Sequence, residues 1–334
     1  MAAEVIRAGL LTTVQDLGRF GQQRFGVPVS GAMDSRSLSI ANRLVGNGDN
    51  AAALEITLVG PVLRFDSHTL IALCGGDLGA VVGDKPLPMN RPVWIAAGSR
   101  LAFGRCVTGC RAYLAFAGGI DVPEVLGSRS TYLRAGFGGL QGRALKAGDR
   151  IEVMTGGESY FLRLREARAF SDDGFAAPKW SVRVDSERLM MRPQLVRFVA
   201  GRHWERLTPG VRNRFVGENF GVGAASDRMG YRLEGVELDK HSFGDIASEA
   251  VTLGTIQLPP DGNPIVLMAD RQTIGGYPRV GEVASVDMPL LAQLKPGDTL
   301  RFERIALVEA QKLVHAQTSA LAQIGASIMA AGSR

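Results

Sequence analysis

The densest set of chemically capable side chains lies at positions 270–279, where Asp270, Arg271, Gln272, Thr273, Gly275, Gly276, Tyr277 and Arg279 follow an apolar run. An acid, two guanidinium groups, an amide, a hydroxyl and a bare Gly-Gly backbone can together hold a small polar ligand at close range. The same composition also suits a polar turn ending at Tyr277 and Pro278. A second concentration runs from Ser226 to Arg232, in which Asp227 can pair with Arg228 or Arg232 for purely structural ends. Sparser groups occur earlier, at Gln15, Asp16 and Arg19 and at Ser30, Gly31 and Asp34, where Asp34 stands as a helix cap.

Several chemistries are excluded by motif. The chain has no G-x-x-x-x-G-K-[ST] phosphate cradle, no G-x-S-x-G nucleophile elbow and no H-E-x-x-H. The glycines at 136–142 lack the register of a dinucleotide-binding loop and read as a surface turn. His68, His203, His241 and His315 are scattered without cysteine or carboxylate at ligand spacing, so no metal site is expected. Cys74, Cys106 and Cys110 are an odd set in a large chain, which fits free thiols in a reducing compartment.

The elements that position these residues follow from the rest of the chain. Its 334 residues suffice for two domains, and 46% hydrophobic with 21% charged residues is an ordinary globular balance. The net charge of +5 is spread without a basic block, so nucleic-acid binding has no electrostatic footprint. No apolar run approaches the roughly 20 residues that span a bilayer, and the N-terminus does not resemble a secretory signal, so a cytoplasmic protein is expected.

Short β-prone runs at 62–65, 69–74, 93–96, 100–103, 112–116 and 150–153 are punctuated by 42 Gly and 15 Pro, which predicts a mainly β chain. Spacing of three and four predicts a short helix over 34–45, capped by Asp34 and ended by Gly46, and a closing helix over 307–329. The strand rhythm fails over 171–193, where Asp172, Asp173, Gly174 and Pro178 cluster, which places a domain junction there. The expected domains are 1–175 and 190–334.

Internal similarity supports two related halves. Asp34, Glu55 and Asp77 correspond to Asp227, Glu249 and Asp270 at an offset of 193 or 194, and the run 71–77 resembles 265–270. The turn-strand 97–103 resembles 296–302 at an offset of 199, as though the later copy gained the 272–278 region.

Segments 13–19, 30–34, 41–47, 126–132, 226–233 and 270–278 together resemble the allophanate hydrolase subunit 2 family. That resemblance implies two cyclophilin-like β-barrel domains with few short helices and a C-terminal helix. It also implies a larger machine, with a KipI-like subunit and one further subunit as partners. The activity implied first is that of the C subunit of an ATP-dependent 5-oxoprolinase, in which ATP, with Mg, activates the lactam of 5-oxoproline before water opens it to glutamate. Which subunit holds ATP is left open. Asp227 and Asp270 are then the candidates to orient or deprotonate water. Arg228, Arg271, Gly275 and Gly276 would hold the carboxylate, and Gln272, Thr273 and Tyr277 would meet the lactam. The family also implies two alternatives: carboxyl transfer from carboxybiotin to urea or a related amide, and a KipA-like regulator that sequesters a KipI-type kinase inhibitor. The chain carries no Met-Lys-Met biotinylation segment, so biotin would arrive on another protein.

Overall fold

The structure, a computed structural model, describes residues 2–154, 174–183, 186–236, 238, 243 and 246–332. The chain forms two compact units. The first comprises Met1–Arg19, Asp34–Asp185 and Ala320–Arg334, and the second comprises Phe20–Met33 and Ser186–Ser319. A single junction within 171–193 therefore omits two exchanges, residues 20–33 into the second unit and residues 320–334 into the first. Of the residues that marked that junction, Asp172 and Asp173 lie outside the described residues.

In the first unit the strands make two six-stranded antiparallel sheets. One runs in the order Arg150–Glu152, Ala2–Arg7, Val62–Phe65, Arg100–Ala102, Val81–Val82, Lys85–Pro86. The other runs Phe175–Ala176, Pro92–Ile95, Thr69–Asp77, Thr108–Phe116, Ala53–Thr57, Leu11–Gln15. Val5, Leu63, Phe65 and Leu101 of the first sheet share one core with Leu54, Ile71, Leu73, Ile95, Leu114 and Phe116 of the second. Strands Thr69–Asp77 and Thr108–Phe116 are buried on both faces because the helix Ser35–Leu44 packs on the side away from that core. This is why their stretches 70–74 and 112–116 read as continuous apolar runs instead of alternating. The helix predicted over 34–45 is present as Ser35–Leu44, with Asp34 as its N-cap.

The second unit closes. Seven strands form a barrel in the order Gln194–Ala200, Arg279–Val283, Thr255–Gln257, Ile265–Leu267, Gly230–Glu234, Phe220–Val222, Thr299–Arg304, and the parallel pair of first and last strands completes the ring. Phe198, Trp204, Phe215, Phe220 and Phe302 fill it, with the rings of Phe215 and Phe302 stacked at 4.7 Å between centroids. A two-stranded ribbon, Glu249–Ala250 with Ile274–Gly275, stands apart from the barrel sheet. The mainly β class thus holds, with one unit a closed barrel and the other a pair of sheets around a single core. The closing helix runs Leu307–Gly332. Among the described residues no helix is long and apolar enough to cross a membrane.

The acids paired by sequence offset take different places. Asp34 caps a helix, whereas Asp227 is exposed in a turn; Glu55 is buried in a sheet strand, whereas Glu249 lies on the small ribbon.

Candidate functional site

The apolar strand Ile265–Leu267 delivers the chain to Asp270, whose carboxylate meets Arg228 in a fork. Arg228 Nε donates to Oδ2 at 2.8 Å and Nη2 to Oδ1 at 3.0 Å, with both side chains buried. Nη2 also donates to the Gly31 carbonyl at 2.6 Å, and the Asp270 amide donates to the Arg228 carbonyl at 2.8 Å. Side chain and backbone therefore clamp the 226–229 and 268–271 loops together. Both oxygens of Asp270 are engaged in this pair. Asp227 is exposed, and its Oδ1 accepts from the amides of Met229 at 2.8 Å and Gly230 at 3.2 Å, which shapes the turn into strand Gly230–Glu234.

Arg271 is the opposite case. No carboxylate lies within ion-pair distance of it among the described residues; its Nε is buried without an acceptor, and Nη1 makes only a 3.4 Å contact to the Met268 carbonyl. Burial pushes the guanidinium's pKa below its ordinary value, opposed by the more distant Glu282 and Asp270. A desolvated cation without a paired anion favours a bound carboxylate.

Beyond Arg271 the chain enters the ribbon. Val251 donates its amide to the Thr273 carbonyl at 3.1 Å, and Gly275 pairs in register with Glu249. Neither Gly275 nor Gly276 has positive φ, so the reason for glycine is space. A Cβ on Gly275 would lie 2.6 Å from Gln257 Nε2, and one on Gly276 would lie 3.3 Å from Ser248 Oγ. Gln272 and Tyr277 are exposed and Thr273 is half-buried around the later strand of this ribbon.

Behind the ribbon is a charged lattice of which the sequence singled out Arg279 alone as part of a candidate binding group. Arg279 donates through Nη2 to Glu282 Oε1 at 2.6 Å and through Nη1 to the Ala250 carbonyl at 3.1 Å, while its amide donates to His203 Nδ1 at 3.0 Å. Glu282 Oε2 accepts from Thr252 Oγ1 at 2.9 Å and Thr255 Oγ1 at 2.8 Å. Glu249 Oε2 accepts from Arg202 Nη1 at 2.6 Å. Burial holds the His203 imidazole below its usual pKa, helped by Arg202 and Arg206 and opposed by Glu249. Only Arg279 in the dense 270–279 stretch and the spacing of Glu249 in the internal repeat gave a hint of this group; lone residues such as His203 and Gln257 carry no motif.

The earlier candidates are structural. Asp16 Oδ1 accepts from the Gly18 amide at 2.8 Å and from the hydroxyls of Ser128, at 2.8 Å, and Ser130, and Oδ2 accepts from the Arg129 amide at 2.6 Å. His241 lies outside the described residues. Among the described residues no group of three or more His, Cys, Asp or Glu is placed to hold a metal. One desolvated guanidinium suits a single carboxylate. A triphosphate with its magnesium calls for more donors than these residues gather, so ATP is not assigned to this chain.

The profile of the carboxyltransferase domain, subdomain A and B, matches residues 25–304. The chain is 38% identical to the 5-oxoprolinase C subunit of Escherichia coli over 92% of this chain and 93% of that protein. It is 35% identical to the 5-oxoprolinase C subunit of Haemophilus influenzae over 90% of each. The crystal structure of Kluyveromyces lactis urea amidolyase superposes with a TM-score of 0.84 at 32% identity, covering 97% of this chain and 20% of that one. With a match over most of its length in profile, sequence and fold, the chain belongs to the carboxyltransferase subdomain A and B family.

Proposed function

We propose that the chain acts as the C subunit of an ATP-dependent 5-oxoprolinase, opening the lactam of 5-oxoproline to glutamate together with a KipI-like subunit and one further subunit. The observation that carries this reading is reciprocal coverage: the similarity spans 92% of this chain and 93% of the Escherichia coli protein, so the two correspond over most of both lengths. A lactam is a poor electrophile, which is why the complex spends ATP, with Mg, to activate the ring carbonyl. Water then adds to the carbonyl carbon, the ring C–N bond breaks, and the nitrogen leaves as the amine of glutamate.

This chain's part is recognition. Arg271 receives the substrate carboxylate, supported by the bare backbone of Gly275 and Gly276, while Gln272, Thr273 and Tyr277 face the ring. Arg228 and Asp270, already neutralised by one another, hold the loops in place. The exposed Asp227 is the acid with access to water.

The test is co-purification with the KipI-like and further subunits, then assay of glutamate from 5-oxoproline and ATP with and without this chain. Glutamate formation that requires the chain is expected. Arg271→Ala is expected to lower kcat/KM by roughly 100-fold, from loss of a charged hydrogen bond of about 1.5–3 kcal/mol, and Gln272→Ala by roughly 10-fold, with unfolding midpoints unchanged. Full activity in both variants removes the site assignment. The second reading, carboxyl transfer to urea or another amide, draws on the likeness to the urea amidolyase structure. A urea-stimulated, biotin-dependent ATPase would select it, and stoichiometric capture of the KipI-like protein without turnover would select a regulator.

A further inference from the structure

Phe20 and Phe25 are 67% and 66% exposed, and among the described residues no other phenylalanine is exposed. The turn that carries them is held in one shape. Gly21 and Gly26 take positive φ, 86° and 78°, on either side of the one-turn helix Gln23–Phe25. The Gly21 amide donates to Gln23 Oε1 at 2.9 Å, the Phe25 amide to the Gln22 carbonyl at 3.0 Å and the Gly26 amide to the Gln23 carbonyl at 2.9 Å. A turn fixed in this way gives up little entropy when something docks on it. Neither ring serves the fold, because the barrel core takes only Met33 from the Phe20–Met33 segment.

Arg24 stands beside them. Its exposed guanidinium lies 4.6 Å from the centroid of the Phe25 ring and makes no ion pair among the described residues. It is also the one charged residue from position 20 to position 33. Aromatic rings and arginine are the residue types that concentrate binding energy at protein interfaces. The charge decides what they fit, which is a carboxylate set beside an apolar pocket. A second copy presenting the same turn across a two-fold axis would bring Arg24 against Arg24. An anionic lipid surface is recognised by clusters of about four to eight basic residues, and one cation does not make such a cluster.

We propose that the turn 20–26 is the docking point for a partner subunit, with Phe20 and Phe25 entering an apolar pocket on that protein and Arg24 meeting its carboxylate. The segment runs on to Gly31, whose carbonyl accepts from Arg228 Nη2 at 2.6 Å, and Arg228 in turn holds Asp270 next to Arg271. One short stretch of chain therefore joins the docking point to the loops of the candidate site. This rests on the multisubunit reading above and states where a partner sits.

The experiment is calorimetric titration of the full chain with the KipI-like subunit and, separately, with the further subunit, in the wild type and in Phe20→Ser, Phe25→Ser, Arg24→Glu and Arg24→Lys. One of the two subunits is expected to bind the wild type. Each Phe→Ser change is expected to weaken that binding by roughly 10- to 100-fold. Arg24→Glu is expected to weaken it by at least roughly 10-fold and Arg24→Lys by less, with the difference shrinking as salt is raised. Unfolding midpoints are expected to hold, because all three side chains are exposed; a lower midpoint would mark a structural role and overturn the proposal. Wild-type affinity in Phe20→Ser, Phe25→Ser and Arg24→Glu would also overturn it, as would a wild type that binds neither subunit. So would variants whose defect is lost self-association in sedimentation, or lost binding to phosphatidylcholine–phosphatidylserine vesicles. Docking that the variants lose, in a wild-type complex that makes no glutamate from 5-oxoproline, supports the surface and overturns the 5-oxoprolinase reading alone.

Discussion

Arg228 and Arg271 are separated by neighbourhood, not by type. The first is neutralised by Asp270 in a buried fork, and the second is desolvated without an anion, so one guanidinium holds the fold and the other is the one proposed to take a ligand. The residue types at 270–279 marked a candidate binding group because acid, cation, amide and glycine converge there. Which arginine is paired was not, since that depends on two loops meeting across 42 positions. His203 makes the same point through acidity. Its Nδ1 accepts the Arg279 amide at 3.0 Å, which requires an unprotonated nitrogen, and burial lowers its pKa from the ordinary 6.5. Between the folded and unfolded values the unfolded chain binds the extra proton, so this stabilisation is complete above pH 6.5 and declines as pH falls below it. Unfolding free energy measured across that window is expected to slope downward toward acid in the wild type and to lose this component in His203→Gln. Parallel curves would show that the imidazole does not titrate on unfolding.

At the scale of elements, the helices Ser35–Leu44 and Leu307–Gly332 were legible, whereas the helix Pro209–Gly217 and the ribbon were not. Helix Ser35–Leu44 announces itself by apolar spacing, by Asp34 in front and by Gly46 behind at φ 79°. Asp34 Oδ1 accepts from the Ser37 amide at 2.9 Å and Oδ2 from its hydroxyl at 2.6 Å. Asp34→Ala is expected to cost about 1–2 kcal/mol in urea unfolding and Asp34→Ser only a fraction of that; equal losses would mean that the carboxylate acts through charge instead of capping. Strands Glu249–Ala250 and Ile274–Gly275 are two residues each, too short for any alternation to register, and their pairing bridges distant segments. The bulge at Gln257 likewise has no sequence mark, because register is fixed by neighbours in space.

For the whole molecule, the mainly β class could be read from punctuation and strand-sized runs, while the closing of one unit could not, because it depends on a parallel pairing between Gln194–Ala200 and Thr299–Arg304. Phe215 sits at the centre of that barrel's rings, touching Phe198, Trp204, Phe220 and Phe302. Phe215→Ala is expected to cost about 3–5 kcal/mol by leaving a void, read as a lower unfolding midpoint; a loss under about 1 kcal/mol would show that the rings repack. The barrel core also includes Met33, from the Phe20–Met33 segment at the start of the chain. A growing polypeptide emits that methionine early, yet its aromatic neighbours, ending with Phe302, emerge only near the end of translation. The early stretch must therefore stay unclaimed on the ribosome, and a gene split at its midpoint would yield two halves, each missing a piece carried by the other.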